Sequence, residues 1–392
     1  MLHPDFLDDP RLQAVLAALP GARLVGGCVR DALAGLPVAD IDLACPLPPE
    51  RMISALRAAG LRALPTGLAH GTITALSGSA LAGDAHFEIT TLRRDLATDG
   101  RHATVAFTDD WREDAARRDF TINAMSLSAI GMLYDYFGGQ SDLAAGIVRF
   151  VGDPATRLAE DYLRLLRFFR FHARYGRGAP DPAALAAIEG AIPGLAHLSP
   201  ERVWSELKRL LAAPAAAPTI ALMDRLGVLQ AILPEGFSVA ALAALESRGA
   251  PAAPLLRLAA LLTGSADALA DRLRLSAAER DELIALRDAP VPTDHDDDAT
   301  LRRLLADTPR EILLGRAWLA GLGETARQKL LTEIAPVFPL KGQDLTAFGV
   351  LPGPEMGVIL RDLRRWWMAG GCRADRAACL SELARRRANT PP

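Results

Sequence analysis

Residues 26–42, GGCVRDALAGLPVADID, constrain this chain more than any other stretch. The short apolar run at 22–25 reads as a strand, and the two glycines after it allow a tight turn and a close backbone approach to a ligand. Residues 28–36 then read as a helix with Gly35 at its C-terminal stop. Such a junction turns unpaired N–H groups and the positive end of a helix toward an anion, and Arg30, one turn in, is placed to hold a phosphate. Residues 38–44 alternate as a strand, with Ile41 and Leu43 facing a core and Asp40 and Asp42 side by side on the other face. Two carboxylates so close repel unless a cation lies between them. Hard oxygen ligands from only two residues suit Mg²⁺, which keeps waters and takes substrate phosphates for its other positions. Paired ions roughly 3.5–4 Å apart activate an attacking oxygen and stabilise a leaving one. The plainer alternative is the solvated face of an edge strand.

Further chemistry follows in order along the chain. Residues 10–19 form a short helix, and 50–59 an amphipathic one with Met52, Ile53, Leu56 and Ala59 inward. Residues 70–76 and 86–92 alternate as paired strands around a loop at 77–85; Phe87 and Ile89 face one side of the second strand and Glu88 the other. Residues 93–111 are polar and glycine-bearing, as in a flexible excursion over the site. In 113–127 the cations Arg117 and Arg118 suit a triphosphate, and Asp119, near Thr121 and Asn123, suits ribose hydroxyls; otherwise Asp119 would cap a helix. Beyond residue 153 the pattern is helical. In 153–175, Leu158, Tyr162, Leu165, Phe169 and His172 form one buried stripe, with Arg157, Asp161 and Arg164 on a neighbouring face. Aspartate accepts from an exocyclic amino group and arginine donates to a ring nitrogen or carbonyl, so Asp161 and Arg164 can read the edge of a base; the alternative is an intrahelical salt bridge. Arg167, Arg170, Arg174 and Arg177 continue this cationic series toward RNA phosphates.

The motifs GGCVRD, DID, EITTLR, RRDFTIN and EDYLR, with LKGQDL and GPEMG at 340–357, resemble those of the class II tRNA nucleotidyltransferase and bacterial poly(A) polymerase family, within the DNA polymerase beta-like superfamily. The resemblance spans nearly the whole chain; 200–335 matches only in being helical. It implies an α+β protein: an N-terminal nucleotidyltransferase head with a mixed β-sheet and helices (1–145), then an all-α neck (146–212), body (213–300) and tail (301–392). It implies that Asp40, Asp42 and Glu88 form the catalytic set, the first two holding Mg²⁺. Gly26, Gly27, Arg30, Asp31, Arg118, Asp119, Asn123 and Arg167 would bind the nucleotide, and Asp161 and Arg164 would stand in for a nucleic-acid template. Arg170, Arg174, Lys341, Arg361, Arg364 and Arg365 would meet RNA. The implied reaction is addition of C and A from CTP and ATP to a tRNA 3′ end. The neighbouring readings are poly(A) synthesis, or addition of only CC or only A. The chain length, and the resemblance of DGRHATVAF at 99–107 to a loop of CCA-adding members, favour CCA. A catalytically dead RNA-binding protein is disfavoured by the three intact carboxylates.

Composition bounds the partners. The 392 residues carry a net charge of −3, so an RNA surface must be a local patch rather than a global field. The four cysteines form no CxxC pair, which argues against zinc and for a reducing, cytoplasmic setting. The acidic N-terminus lacks a signal-peptide core, and no apolar run reaches the length of a membrane span. The HD dipeptide at 295–296 lacks the histidine partners of a phosphohydrolase.

Overall fold

The computed structural model describes residues 1–79, 83–98 and 103–388, which divide into two compact units, Met1–Pro234 and Glu235–Pro392. In the first unit, helix α1 (Pro10–Ala18) leads into strand β1 (Arg23–Val25), helix α2 (Gly27–Leu33), β2 (Asp42–Cys45), α3 (Pro49–Ala58), β3 (Arg62–Gly67), β4 (Thr72–Ser79) and β5 (Gly83–Thr91). A hairpin of β6 (Arg93–Thr98) and β7 (Ala103–Phe107) follows, then α4 (Trp111–Ala116), β8 (Ser126–Ser128), β9 (Leu133–Tyr134) and α5 (Gly139–Ala145). The main sheet has the order β3-β4-β5-β2-β1-β8-β9. It is mixed: β2 and β5 run parallel, with Asp42 opposite Glu88, and the remaining pairs are antiparallel. Buried alternation explains the strand faces, with Leu43, Phe87 and Ile89 in the core and Asp42 and Glu88 exposed.

Four local expectations change. The strand carrying the paired aspartates begins only at Asp42, and Asp40 lies in the loop before it. The cause is pairing: β5 pairs with this segment only from Asp42 onward, and β1 only at Leu43 and Ala44. Ala59 is exposed at the C-cap of α3 rather than inward. Most of the expected loop at 77–85 is ladder, with Ser77 opposite Ala85 and Ser79 opposite Gly83; residues 80–82 lie outside the described residues. The excursion at 93–111 contains the β6–β7 hairpin, and 99–102 of the DGRHATVAF segment lie outside the described residues.

The helical part of the first unit comprises α6 (Pro154–Glu160), α7 (Leu163–Tyr175), α8 (Pro182–Ala191), α9 (Pro200–Leu211), α10 (Ala217–Arg225) and α11 (Val228–Ile232). Among the described residues no strand follows β9. The single helix expected over 153–175 is two: Asp161 is extended (φ −157°, ψ 106°) between α6 and α7. Its carboxylate accepts the Leu163 N–H, satisfying one donor of the new helix start. The Tyr162 ring packs against Gly194, where a Cβ would lie 2.1 Å from it.

The α7 face that buries Leu165, Phe168, Phe169 and Phe171 packs on Phe120, which follows α4, and on Phe150, which follows α5. Ring centroids lie 4.9 Å apart for Phe120 and Phe150, and 5.3 Å for Phe120 and Phe171. A main-chain bridge pairs Phe120 with Phe150 and fixes the segment between them.

The second unit is all-helical among the described residues, from α12 (Val239–Ser247) to α21 (Arg376–Ala388). Near its C-terminal end lie α19 (Gly342–Thr346) and α20 (Pro354–Ala369). Trp367 is fully buried against Leu345, Leu363 and Leu383, and Trp366 packs at the edge of that cluster. Trp367 is therefore core, and Trp366 is half-buried beside it.

Truncating Phe120 to alanine removes the ring that packs on both Phe150 and the aromatic face of α7. We expect a loss of about 3–5 kcal/mol, measured by urea unfolding of the full chain; a loss under about 1 kcal/mol would show that Phe120 does not anchor this packing.

Candidate active site

The site is built from the β1–α2 turn upward. Gly26 has φ +70°, so the turn needs glycine for its conformation, and a Cβ there would also displace Arg118 Nη1, 2.8 Å away. Arg30 is buried on α2. Its Nη1 donates to Asn123 Oδ1 at 2.5 Å, and its Nε and Nη2 donate to Asp31 at 3.0 Å. Its guanidinium lies 5.0 Å from the Phe171 ring centroid and 4.6 Å from that of Tyr175. The Tyr175 hydroxyl donates to Asp31 Oδ1. Burial pushes that hydroxyl up to about 12, so it stays protonated and a donor through the physiological range.

A second layer of charge lies behind this turn. Asp119 Oδ1 accepts from the Phe120 N–H (2.9 Å) and Asn123 Nδ2 (3.0 Å), and its Oδ2 accepts from Arg167 Nε (2.7 Å). Burial alone would raise its pKa; the Arg167 charge and these hydrogen bonds outweigh it and hold the carboxyl below its ordinary value. Asp119 is thus a buried linchpin rather than a helix cap. Glu206 on α9, also buried, accepts from Arg170 Nε at 2.5 Å and lies 3.8 Å from Arg167 Nη1. Asp161 Oδ2 accepts from Arg202 Nη2 at 2.7 Å. Arg164 donates to the carbonyls of Arg157 (3.0 Å) and Arg117 (3.3 Å) and to Glu160. No intrahelical salt bridge joins Asp161 to Arg164; each has another partner.

These groups converge on one cavity of about 650 Å³, lined by Gly26, Gly27, Arg30, Asp42, Arg118, Asp119, Asn123, Asp161, Arg164, Arg167 and Arg170, with Arg202 and Phe171. Ten of the residues expected to bind nucleotide or metal, or to read a base, therefore line one space. Arg170, expected on the RNA, lines it as well, because its pairing with Glu206 turns it there. Asp31 lies outside that lining and braces Arg30 from behind. Arg174 borders a separate cavity of about 440 Å³ with Leu36, Tyr175 and Arg177.

Asp40, Asp42 and Glu88 line a further cavity of about 570 Å³, which shares Asp42 with the first. Burial and the Glu88 charge raise the Asp42 pKa, with Asp40 adding to this and Arg118 opposing it. Glu88 and Asp40 therefore repel the Asp42 carboxylate, and a cation would relieve that repulsion; among the described residues, however, no group of three His, Cys, Asp or Glu side chains is gathered closely enough to hold one ion. Lys341 caps α19 and is exposed; Arg361, Arg364 and Arg365 are exposed on α20 of the second unit, where Arg364 pairs with Asp307 (2.6 Å) and Arg365 with Asp362 (3.2 Å).

Sequence reasoning did not assign a role to Tyr175, Phe171 or Glu206. The only signal was Glu206 lying four residues after Arg202 in 200–211, which puts both on one helix face.

A mixed sheet that presents paired carboxylates beside a cation-lined, glycine-floored cavity defines a nucleotidyltransferase. Known proteins agree. The sequence family described as the Poly A polymerase head domain matches residues 22–149, and that described as the probable RNA and SrmB-binding site of polymerase A matches 179–238. The CCA tRNA nucleotidyltransferase 1, mitochondrial, of Danio rerio is 39% identical over 92% of this chain and 86% of its own length. The protein of the same name in Homo sapiens is 37% identical over the same shares. The crystal structure of the Bacillus stearothermophilus CCA-adding enzyme in complex with CTP superposes with a TM-score of 0.73 at 26% identity, covering 97% of this chain and 99% of that one. The chain belongs to the CCA tRNA nucleotidyltransferase family.

Tyr175→Phe removes only the hydroxyl that braces Asp31. We expect the KM for CTP to rise about three- to tenfold, with kcat within about twofold and an unchanged melting temperature. A fall in kcat at constant KM would show that the tyrosine does not act through Arg30.

Proposed function

We propose that this enzyme adds C and A from CTP and ATP to the 3′ end of tRNA lacking CCA, choosing each base with protein side chains instead of a nucleic-acid strand. The observation that carries this reading is the single cavity in which Asp161 and Arg164 from the neck face Gly26, Gly27, Arg30 and Arg118 from the head. The phosphate-side cations bind and orient the triphosphate, with Arg30 held by Asn123 and Asp31. Asp119 and Asn123 are placed to meet the ribose, and Arg167 and Arg170 neutralise charge at the inner wall. Cytosine and adenine each present an exocyclic amino group beside an unprotonated ring nitrogen. Asp161 accepts from the first and Arg164 donates to the second; U and G present the opposite pattern at the equivalent edge. Arg202 fixes the Asp161 carboxylate for that task.

Asp40, Asp42 and Glu88 suit divalent cations: the donors are hard oxygens, and burial together with the Glu88 and Asp40 charges raises the Asp42 pKa. Mg²⁺ bound by Asp40 and Asp42 would lower the barrier by activating the RNA 3′ hydroxyl and neutralising the leaving pyrophosphate. The rest of catalysis is positioning and charge complementarity from the chain itself. In this reading the head (1–145) does the chemistry, the neck (146–212) selects the base, and the body (213–300) and tail (301–392) hold RNA through exposed cations such as Lys341, Arg361 and Arg365. Among the described residues no helix is long and apolar enough to cross a membrane. The four cysteines are buried and free, which supports a reducing compartment; we assign the cytoplasm, although the Danio rerio and Homo sapiens relatives are named as mitochondrial.

Asp161→Ala should lose discrimination against UTP and GTP more than it loses turnover with CTP, because a site built on these hydrogen bonds rejects the wrong base by leaving its own groups unpaired. The ratio of kcat/KM for CTP to that for UTP reads this directly. An unaltered ratio would return Asp161 to the role of a helix-junction cap.

A further inference from the structure

Asp42 borders two cavities, and only one of them is accounted for by the incoming nucleotide. The second lies on the Glu88 side of β2, since β2 sits between β1 and β5 in the sheet. Its lining includes Asp9, Arg11, Asp40, Thr74, His86 and Glu88. A seat for the acceptor 3′ end beside these carboxylates follows from the nucleotidyl-transfer reading above, and resting on it we infer that Arg11 is the contact for the phosphodiester of the RNA's 3′-terminal nucleotide.

The reaction itself requires a second seat. The RNA 3′ oxygen forms a bond to the α-phosphorus as the bond from that phosphorus to the pyrophosphate oxygen breaks. The hydroxyl proton passes to solvent and pyrophosphate leaves with the electron pair. Entering and leaving oxygens stand roughly in line across the phosphorus. With the triphosphate on the Gly26, Arg30 and Arg118 side, the attacking oxygen must come from the opposite side of Asp42.

The residues there match an RNA end. Asp9 caps α1 by accepting the Arg11 N–H at 2.8 Å, and the same carboxylate takes Arg11 Nε at 3.0 Å and Nη2 at 2.8 Å. The cap needs only the aspartate; the second pair of bonds holds the guanidinium rigid. Arg11 Nη1 has no hydrogen-bond partner among the described residues, and the side chain is 38% exposed. A fixed fork with a free edge suits a phosphate, which otherwise would face only the carboxylates Asp40, Asp42 and Glu88 on this side. His86 is exposed, two residues from Glu88 on the same face of β5, and offers a ring for the terminal base.

The test is steady-state kinetics with full-length enzyme, varying tRNA lacking CCA and CTP separately, for wild type, Arg11→Ala and Arg11→Lys. Arg11→Ala should raise the KM for tRNA about tenfold or more, leave the KM for CTP within about twofold, and lower the slope of log affinity against log salt by about one. Arg11→Lys, which keeps the charge without the fork, should recover only part of the loss. An unchanged tRNA KM, or equal rises in both KM values, would overturn the assignment while leaving nucleotidyl transfer intact. A wild-type enzyme that extends no RNA would instead defeat the activity reading on which it rests.

Discussion

The buried carboxylates Asp119 and Glu206 are the constraint on which the rest of this site depends. An unpaired buried charge costs several kcal/mol, so each must be met by guanidinium groups. Asp119 takes Arg167, and Glu206 takes Arg170, with Arg167 and Arg209 within ion-pair range. Arg167 and Arg170 come from α7, whereas Asp119 follows α4 and Glu206 lies on α9 with Arg209, so satisfying the charges fixes α7 against both. Asn123 extends the chain of contacts to Arg30, and Asp31 and Tyr175 close it from behind. Phe171 lies beneath three guanidinium groups, those of Arg30, Arg167 and Arg170, at 4.2–5.5 Å from its centroid. A cavity with so many cations keeps its shape before any triphosphate enters, which is the condition for electrostatic preorganisation.

That preorganisation has a division of labour. In the proposed function, groups on the β1–α2 turn serve the phosphates and groups at the α6–α7 break serve the base. The break matters because Asp161 in a continuous helix would direct its carboxylate along the helix surface. In the extended conformation it is held by the Leu163 N–H on one oxygen and Arg202 on the other. Gly194 permits this by leaving room for the Tyr162 ring.

Much of this was legible in the residues. The strand-glycine-helix junction, the exposed face shared by Asp42 and Glu88, and the paired β4 and β5 follow from period and turn chemistry alone. The break at Asp161 was not legible, because the apolar stripe of Leu158, Tyr162, Leu165 and Phe169 runs through it and no proline or glycine marks it. β3 was missed because Pro65 argues against a strand; the sheet order makes it an edge strand, where proline is tolerated. The β6–β7 hairpin was hidden by the polar character of its segment. Partner choice was the least legible: the sequence placed Asp161 beside Arg164, whereas the fold gives them Arg202 and Glu160. Long-range pairings such as Tyr175 with Asp31, 144 residues apart, leave no local trace.

The central claim is that protein side chains, not a nucleic-acid strand, dictate a short and defined addition. End-labelled tRNA lacking CCA, incubated with purified enzyme and CTP, ATP, UTP or GTP singly and in combination and resolved at single-nucleotide length, tests it most directly. The account predicts two added residues with CTP alone, three with CTP and ATP together, and none with UTP or GTP. A ladder of adenylates from ATP alone, or extension by UTP comparable to that by CTP, would contradict it.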